Sequence, residues 1–273
     1  MKSLIVLILL FAPLSAGDGQ ESKPAGKNIS GVMMPGEELV YEVSWTFFKL
    51  GKIRVLALPS SVNNPAVAYS SIAYSDSYTL PFVDFHAIST SEMDSTLFSE
   101  GASLFEKKDD RWYRQLYFFT PSTRTYVTEH AFVKDPQSQQ PLQPMTYDTL
   151  QLPYDRFQDG TSILYFARAY VHTQRAIAVP ILVRGKAGKT NFYLPAERTK
   201  EKIDAVDYPI RVVELEGKAE FEGIFGLTGD FTGWFSDDEA AVPIKAKMKV
   251  ILGSITIELK EWKRPGWTPP RAD

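Results

Sequence analysis

From Leu39 onward the chain alternates apolar and polar residues with a period of two, and this alternation governs what it can fold into. Leu39, Tyr41, Val43, Trp45 and Phe47 fall on one face, and Val40, Glu42, Ser44 and Thr46 on the other, largely polar one. Successive side chains of a strand point to opposite faces of a sheet, so this is the pattern of a strand with one buried face. Gly51 precedes a second run, Lys52–Leu58, which predicts a hairpin turning across Phe48–Gly51. Similar runs follow at Val67–Ala73, Ser89–Phe98, Trp112–Phe119, Arg124–Phe132, Ile177–Arg184, Lys189–Leu194, Ile210–Leu215, Lys218–Phe225, Phe231–Phe235, Ile244–Leu252 and Ser254–Trp262. Strand runs separated by turn signals at this spacing predict an all-β fold with one short helix, built as a large antiparallel, strongly curved sheet or unclosed β-barrel.

The end of the chain carries the clearest local signal. Ala246, Met248, Val250 and Leu252 alternate with Lys245, Lys247 and Lys249, then Gly253-Ser254 turns the chain into Ile255–Lys260. This predicts a hairpin with a wet lysine face, which also guards a strand edge against pairing. One segment departs from period two. Within Asp159–Tyr170, the residues Ile163, Phe166, Ala167 and Tyr170 recur at i, i+3, i+4 and i+7, and Asp159 or Thr161 can cap the first turn. A short helix covering the sheet or plugging a barrel mouth is expected there, with Asp159 and Ser162 in capping roles. Before it, Pro136–Gln158 has weak periodicity and is the best internal boundary, read either as a long connection within one domain or as a linker.

Lys2, the apolar run Leu4–Phe11 and the small residues ending at Ala16 predict a secretory signal peptide over residues 1–16. The run is far shorter than the roughly 20 residues needed to cross a bilayer, so no transmembrane span is expected after cleavage. The expected destination is the periplasm, although the same signal also licenses secretion. Residues 17–35 read as a flexible lead-in, 36–264 as a single β-rich domain, and 265–273 as a proline-rich extended tail. The chain has no Cys, so an exported fold must rely on its hydrophobic core rather than on disulfides. A hydrophobic fraction of 44% is enough for such a core.

Several chemistries are disfavoured by what the sequence holds. Thirty Lys and Arg against 33 Asp and Glu, interleaved along the chain, leave no basic stripe for nucleic acid. The three histidines, His86, His130 and His172, are widely spaced, without the i, i+4 pairing of a zinc helix, so no metal or other cofactor is expected. No G-x-S-x-G nucleophile elbow occurs. Gly226–Gly229 reads as a turn, because the helix that a phosphate-cradling loop requires is missing after it. Asp237 and Asp238 are adjacent and would face opposite ways along a strand, so they are expected to bond local backbone amides in a turn. Arg168 is placed to pair with one of these carboxylates.

Three separated motifs carry a family resemblance. They are Gly36–Trp45 (GEELVYEVSW), Asp159–Arg168 (DGTSILYFAR), and Gly233–Asp238 (GWFSDD) followed by Pro243-Ile244 and Leu252–Leu259 (LGSITIEL). In this order, across about Glu37–Lys263, the chain resembles the bacterial envelope family called domain of unknown function 3108. The resemblance implies an exported, single-domain, β-rich protein and brings no catalytic residues.

The functional expectation follows from export, the absent catalytic motifs and 35 aromatic residues in alternating strands. It is a non-enzymatic envelope protein that binds a lipid or other apolar small molecule inside a curved sheet. Trp45, Tyr165, Arg168 and Trp234 are its candidate ligand contacts. Two rival readings stand beside it. One is an envelope scaffold that docks another protein through a sheet edge or aromatic patch. The other is a hydrolase using Asp230, Asp237, Asp238 and Arg168.

Overall fold

The computed structural model describes residues 29–60, 64–79, 84–138, 140–220, 229–250 and 253–273. The expected signal peptide, most of the expected lead-in, the turn residues 226–228 and the end of the expected strand 218–225 lie outside these residues. Fifteen strands are described: β1 (Glu38–Trp45), β2 (Phe48–Leu58), β3 (Tyr69–Ser77), β4 (His86–Met93), β5 (Ser99–Lys108), β6 (Arg111–Thr120), β7 (Thr125–Val133), β8 (Thr146–Gln151), β9 (Ala176–Val183), β10 (Lys186–Tyr193), β11 (Arg198–Glu201), β12 (Ile210–Ala219), β13 (Gly229–Ser236), β14 (Pro243–Lys249) and β15 (Ser254–Lys263). Two α-helices, α1 (Ile29–Val32) and α2 (Ser162–Tyr170), and a 3-10 turn at Pro121–Thr123 accompany them.

All fifteen strands belong to one antiparallel sheet. Its order is β8-β7-β6-β5-β4-β3-β2-β1-β15-β14-β13-β12-β10-β9, with β11 pairing the first half of β12 beside β10. The sheet curls strongly but does not close into a barrel. Register shifts at Val40/Tyr41, Val43/Ser44, Glu92/Met93 and Trp234/Phe235 mark bulges, which bend a strand and increase its twist. The curl brings β9 toward β5, and residues 157–158 fill the gap between them. The Gln158 amide donates to the Pro180 carbonyl, the Gln158 carbonyl accepts from Leu182, and the Phe157 carbonyl accepts from Ser99.

Gly51 shows why one glycine is needed for this curvature. It lies at the bulge where Val43 pairs Gly51 and Ser44 pairs Lys49, and a Cβ there would sit 2.2 Å from the Asp76 carbonyl of β3. The hairpin therefore turns at Thr46-Phe47 rather than across Phe48–Gly51. Thr46 takes a left-handed φ of 52°, and Phe47, which extrapolated alternation would bury, is 82% exposed.

α2 lies inside the curl and is buried on nearly every side, at Tyr165, Phe166, Ala167, Arg168, Ala169 and Tyr170. A helix that is mostly apolar around its circumference needs such a setting. It joins β1–β3, Met93 at the end of β4, β9, β10 and β12–β15 in one large hydrophobic cluster. A separate small cluster, Tyr126, Leu152, Phe157 and Leu182, packs β7 and the 152–157 segment against β9.

Three strands arise where the alternation was faint. β5 lies inside a stretch without a clear period, β8 interrupts the long connection 136–158, and β11 is four residues long. The run expected at Ser89–Phe98 instead ends at Met93, because the Asp94 carboxylate accepts the amides of Thr96 and Phe98 and closes a turn. Both ends of the described stretch pack against the sheet. Val32 and Met33, at the end of the expected lead-in, are buried, and the Gly31 carbonyl accepts from Arg264. In the expected tail, Ala272 is buried and 270–272 pairs with 209–211 beside β12.

Candidate functional site

The alternation of β12–β15 places Leu215, Phe231, Phe235, Met248 and Ile257 on the inner face, opposite Tyr41, Ile53, Val55 and Ala73 of β1–β3. α2 presents Ile163, Leu164 and Ala167 to the same space. These residues and Phe192 enclose a cavity of about 290 Å³ that opens toward solvent. That volume is near the lower end of the roughly 300–1,000 Å³ typical of small-molecule sites. It suits one apolar chain or ring system rather than a complete two-chain lipid.

The hollow exists because large residues face small ones. The Phe231 ring lies over Gly217 on the neighbouring strand, where a Cβ would come within 2.3 Å of it. Leu215 likewise opposes Gly233. The wall is almost wholly apolar. Its charged residue, Lys245, directs its ammonium to Glu201 at 3.2 Å and Glu258 at 3.8 Å. The buried hydroxyls of Tyr41 and Thr190 have no hydrogen-bond partner among the described residues, and burial holds the Tyr41 phenol far above its ordinary pKa.

The four candidate ligand contacts are not on this wall. Trp45 sits at the end of β1, with its ring 6.2 Å from that of Phe48. Trp234 belongs to the outer face of β13, since Gly233 and Phe235 on either side of it face the cavity. Its indole donates to Glu214 at 2.8 Å, and the Lys247 ammonium lies 5.8 Å from its ring centroid. Tyr165 and Arg168 turn into a buried ionic cluster instead. Arg168 holds the Glu37 carboxylate bidentately at 2.6 and 3.0 Å and donates to the Ala240 carbonyl. Arg264 donates to the same carboxylate, and Tyr165 packs its ring 5.4 Å from the Arg168 guanidinium. The partner of Arg168 is thus Glu37 and not Asp230, Asp237 or Asp238.

The remaining predicted residues are spread over the start of α2, the turn after β13 and the start of β13. The Asp159 carboxylate accepts the amides of Thr161 and Ser162 at 2.7 and 2.8 Å, while the Ser162 hydroxyl accepts the Asp159 amide, a reciprocal cap on α2. Asp238 accepts the amides of Ala240 and Ala241 and the indole of Trp267. Asp237 meets Arg198 at 2.9 Å and Arg211 at 3.4 Å. Asp230 is exposed at the opposite end of β13. The carboxylates of the hydrolase reading are therefore not assembled into one site. Among the described residues, no three His, Asp or Glu side chains gather as metal ligands, and no helix is long and apolar enough to cross a membrane.

Sequence reasoning missed the actual lining residues. The available signal was parity: in β13 the small and aromatic residues Phe231, Gly233 and Phe235 share one face, while the conspicuous Trp234 lies on the other.

Residues 40–260 match a family described as "Protein of unknown function (DUF3108)". No curated protein matches the chain. Among solved structures, it is similar to the β-barrel-like protein of domain of unknown function DUF1849 from Brucella abortus. The TM-score is 0.55 at 10% identity, covering 85% of this chain and 98% of that one. LprF from Mycobacterium bovis aligns over 90% of this chain and 94% of its own, at 12% identity and a TM-score of 0.29.

Proposed function

The chain belongs to the DUF3108 family, and from that premise we propose that it is an exported, non-enzymatic envelope protein that holds a lipid or other apolar small molecule in the hollow of its sheet. One observation carries the reading. A cavity of about 290 Å³ lies on the concave face, walled by aliphatic and aromatic side chains whose main charged member is turned away into salt bridges. Removing apolar surface from water stabilises a bound chain by roughly 25 cal/mol per Å², and such a wall offers little else to a ligand. The signal-like segment at residues 1–16 supports periplasmic placement.

The test is to purify the protein from the periplasm of its own host without denaturant, then weigh it intact and analyse its organic extract. A stoichiometric apolar molecule is the expected result. A bare chain that also takes up no apolar fluorescent probe would overturn the reading.

A second reading, an envelope docking module, draws on β8, which is exposed at all six residues and ends the sheet. An open edge can accept a strand from another protein. Crosslinking from Tyr147 in the native envelope, with a protein adduct that disappears when β8 is given a proline, would favour it over the ligand reading.

A further inference from the structure

Beside the large cavity lies a second chamber of about 60 Å³ with a different lining. Its wall carries the hydroxyls of Ser75, Ser89 and Thr161, together with Glu106 and Arg184, whereas the Thr90 and Ser103 hydroxyls bond each other at 2.7 Å on the opposite face of the sheet. The two spaces adjoin on two sides. Gly160 and Thr161, which lead into α2, line both. Along β3 the inner face passes from Ala73 in the large cavity to Ser75 in the small one, a step of about 7 Å between residues i and i+2. At the seam, Ser89, which pairs Ala73 across the strands, lies 3.0 Å from Thr161, hydroxyl to hydroxyl.

The ionic groups of the small chamber are already engaged. Asp159 takes the Ser91 hydroxyl at 2.5 Å and two backbone amides, and Glu106 accepts from Arg184 at 2.5 Å. A further anion would face two carboxylates and a guanidinium held by one of them, and an ammonium would lose its hydration in a space of about two water volumes. Hydroxyls both donate and accept, and so can join a network made of Ser and Thr hydroxyls.

We propose that the ligand is a single-chain amphiphile with a small, uncharged, hydroxyl-bearing head, its chain in the large cavity and its head in the small chamber, with the Ser89–Thr161 seam between them. The proposal rests on the reading of the large cavity as a site for an apolar molecule, and it adds a polar subsite to that reading.

The test titrates the exported, delipidated protein calorimetrically with a primary alkanol, whose hydroxymethyl head fits the small chamber, and, at the same chain length, the methyl ester, the fatty acid at neutral pH, the alkyl phosphate and the alkylamine. The alkanol is expected to bind at least about tenfold more tightly than each of the others, the scale of one or two net hydrogen bonds. Ser89→Val, a strand-compatible change that removes one seam hydroxyl, should bring the alkanol down to the affinity of the methyl ester. Equal affinities across the series overturn the head subsite and leave the cavity reading standing. Tighter binding of the phosphate, acid or amine overturns the uncharged head. If no probe binds, the cavity reading fails and takes this one with it. The comparison of probes on the unaltered protein decides the matter even if Ser89→Val does not fold.

Discussion

In the arm β9–β15 the inward positions hold Phe192, Leu215, Phe235 and Ile257, whereas in the arm β4–β8 they hold Ser89, Ser91, Tyr126 and Thr128. The first arm shares one large apolar cluster with β1–β3 and α2 and encloses the cavity. The second shares a four-residue cluster with Leu182 of β9, turns its hydroxyls toward the Asp159–Ser162 turn and ends in a strand exposed throughout. One continuous hydrogen-bonded sheet thus contains two interiors. Backbone pairing is indifferent to which side chains line the curl, and the side chains alone decide whether the inside is an apolar hollow or a polar seam.

The contrast can be broken by experiment, and the largest effect is expected at Glu37. It is the shared carboxylate of Arg168 and Arg264 and is 1% exposed. Glu37→Ala leaves buried guanidinium charge without its partner and should cost about 3–5 kcal/mol in urea unfolding. A loss below about 1 kcal/mol would mean that this cluster does not tie α2 to the sheet.

The next effect compares the two clusters directly. Leu259 is fully buried in the large one and Leu182 nearly so in the small one. Leu→Ala in a core costs about 2–5 kcal/mol, rising with the cavity that remains. Leu259→Ala is expected at the upper end of that range and Leu182→Ala at the lower, and equal losses in parallel denaturation curves would erase the distinction between the two clusters.

A smaller effect is tied to pH. Burial pushes the Asp159 carboxyl above the ordinary carboxylate range despite the hydrogen bonds from Ser91, Ser162 and Thr161. The folded chain therefore keeps this proton at pH values where the unfolded chain has lost it. Its contribution is full below the unfolded value near 4 and declines as pH rises through the folded value, by at most about 1.4 kcal/mol per pH unit. Asp159→Asn, which still offers an acceptor to the α2 amides, should make stability fall less over that window than in the unaltered protein. Identical pH profiles would refute the shift.

The smallest effect is expected at the free edge. Tyr147 of β8 is 57% exposed, and Tyr147→Ala should stay within about 0.5 kcal/mol of the unaltered chain. A loss above 2 kcal/mol would show that the edge is part of the core energetics after all.

Much of the architecture was legible from local pattern. The alternation of Leu39, Tyr41 and Val43 and of the Ala246–Leu259 hairpin set strands β1, β14 and β15, and the 3.6-residue spacing of Ile163, Phe166, Ala167 and Tyr170 set α2. β5, β8 and β11 were faint because most of their residues are neither clearly inside nor clearly outside, or are outside altogether, so no period develops. The site was harder to read. A period of two separates a strand into two faces but does not label which one is concave, so Trp234 drew attention while Phe231 and Phe235 line the cavity. Glu37 meets Arg168 across 131 positions and Arg264 across 227. The sequence by itself thus determined the parity of each strand and the presence of the helix, because both depend on neighbours a few residues away. The direction of curl, the pairing of β1 with β15 and the partners of the buried charges were decided only by the tertiary structure, because each depends on contacts between distant segments that no local spacing encodes.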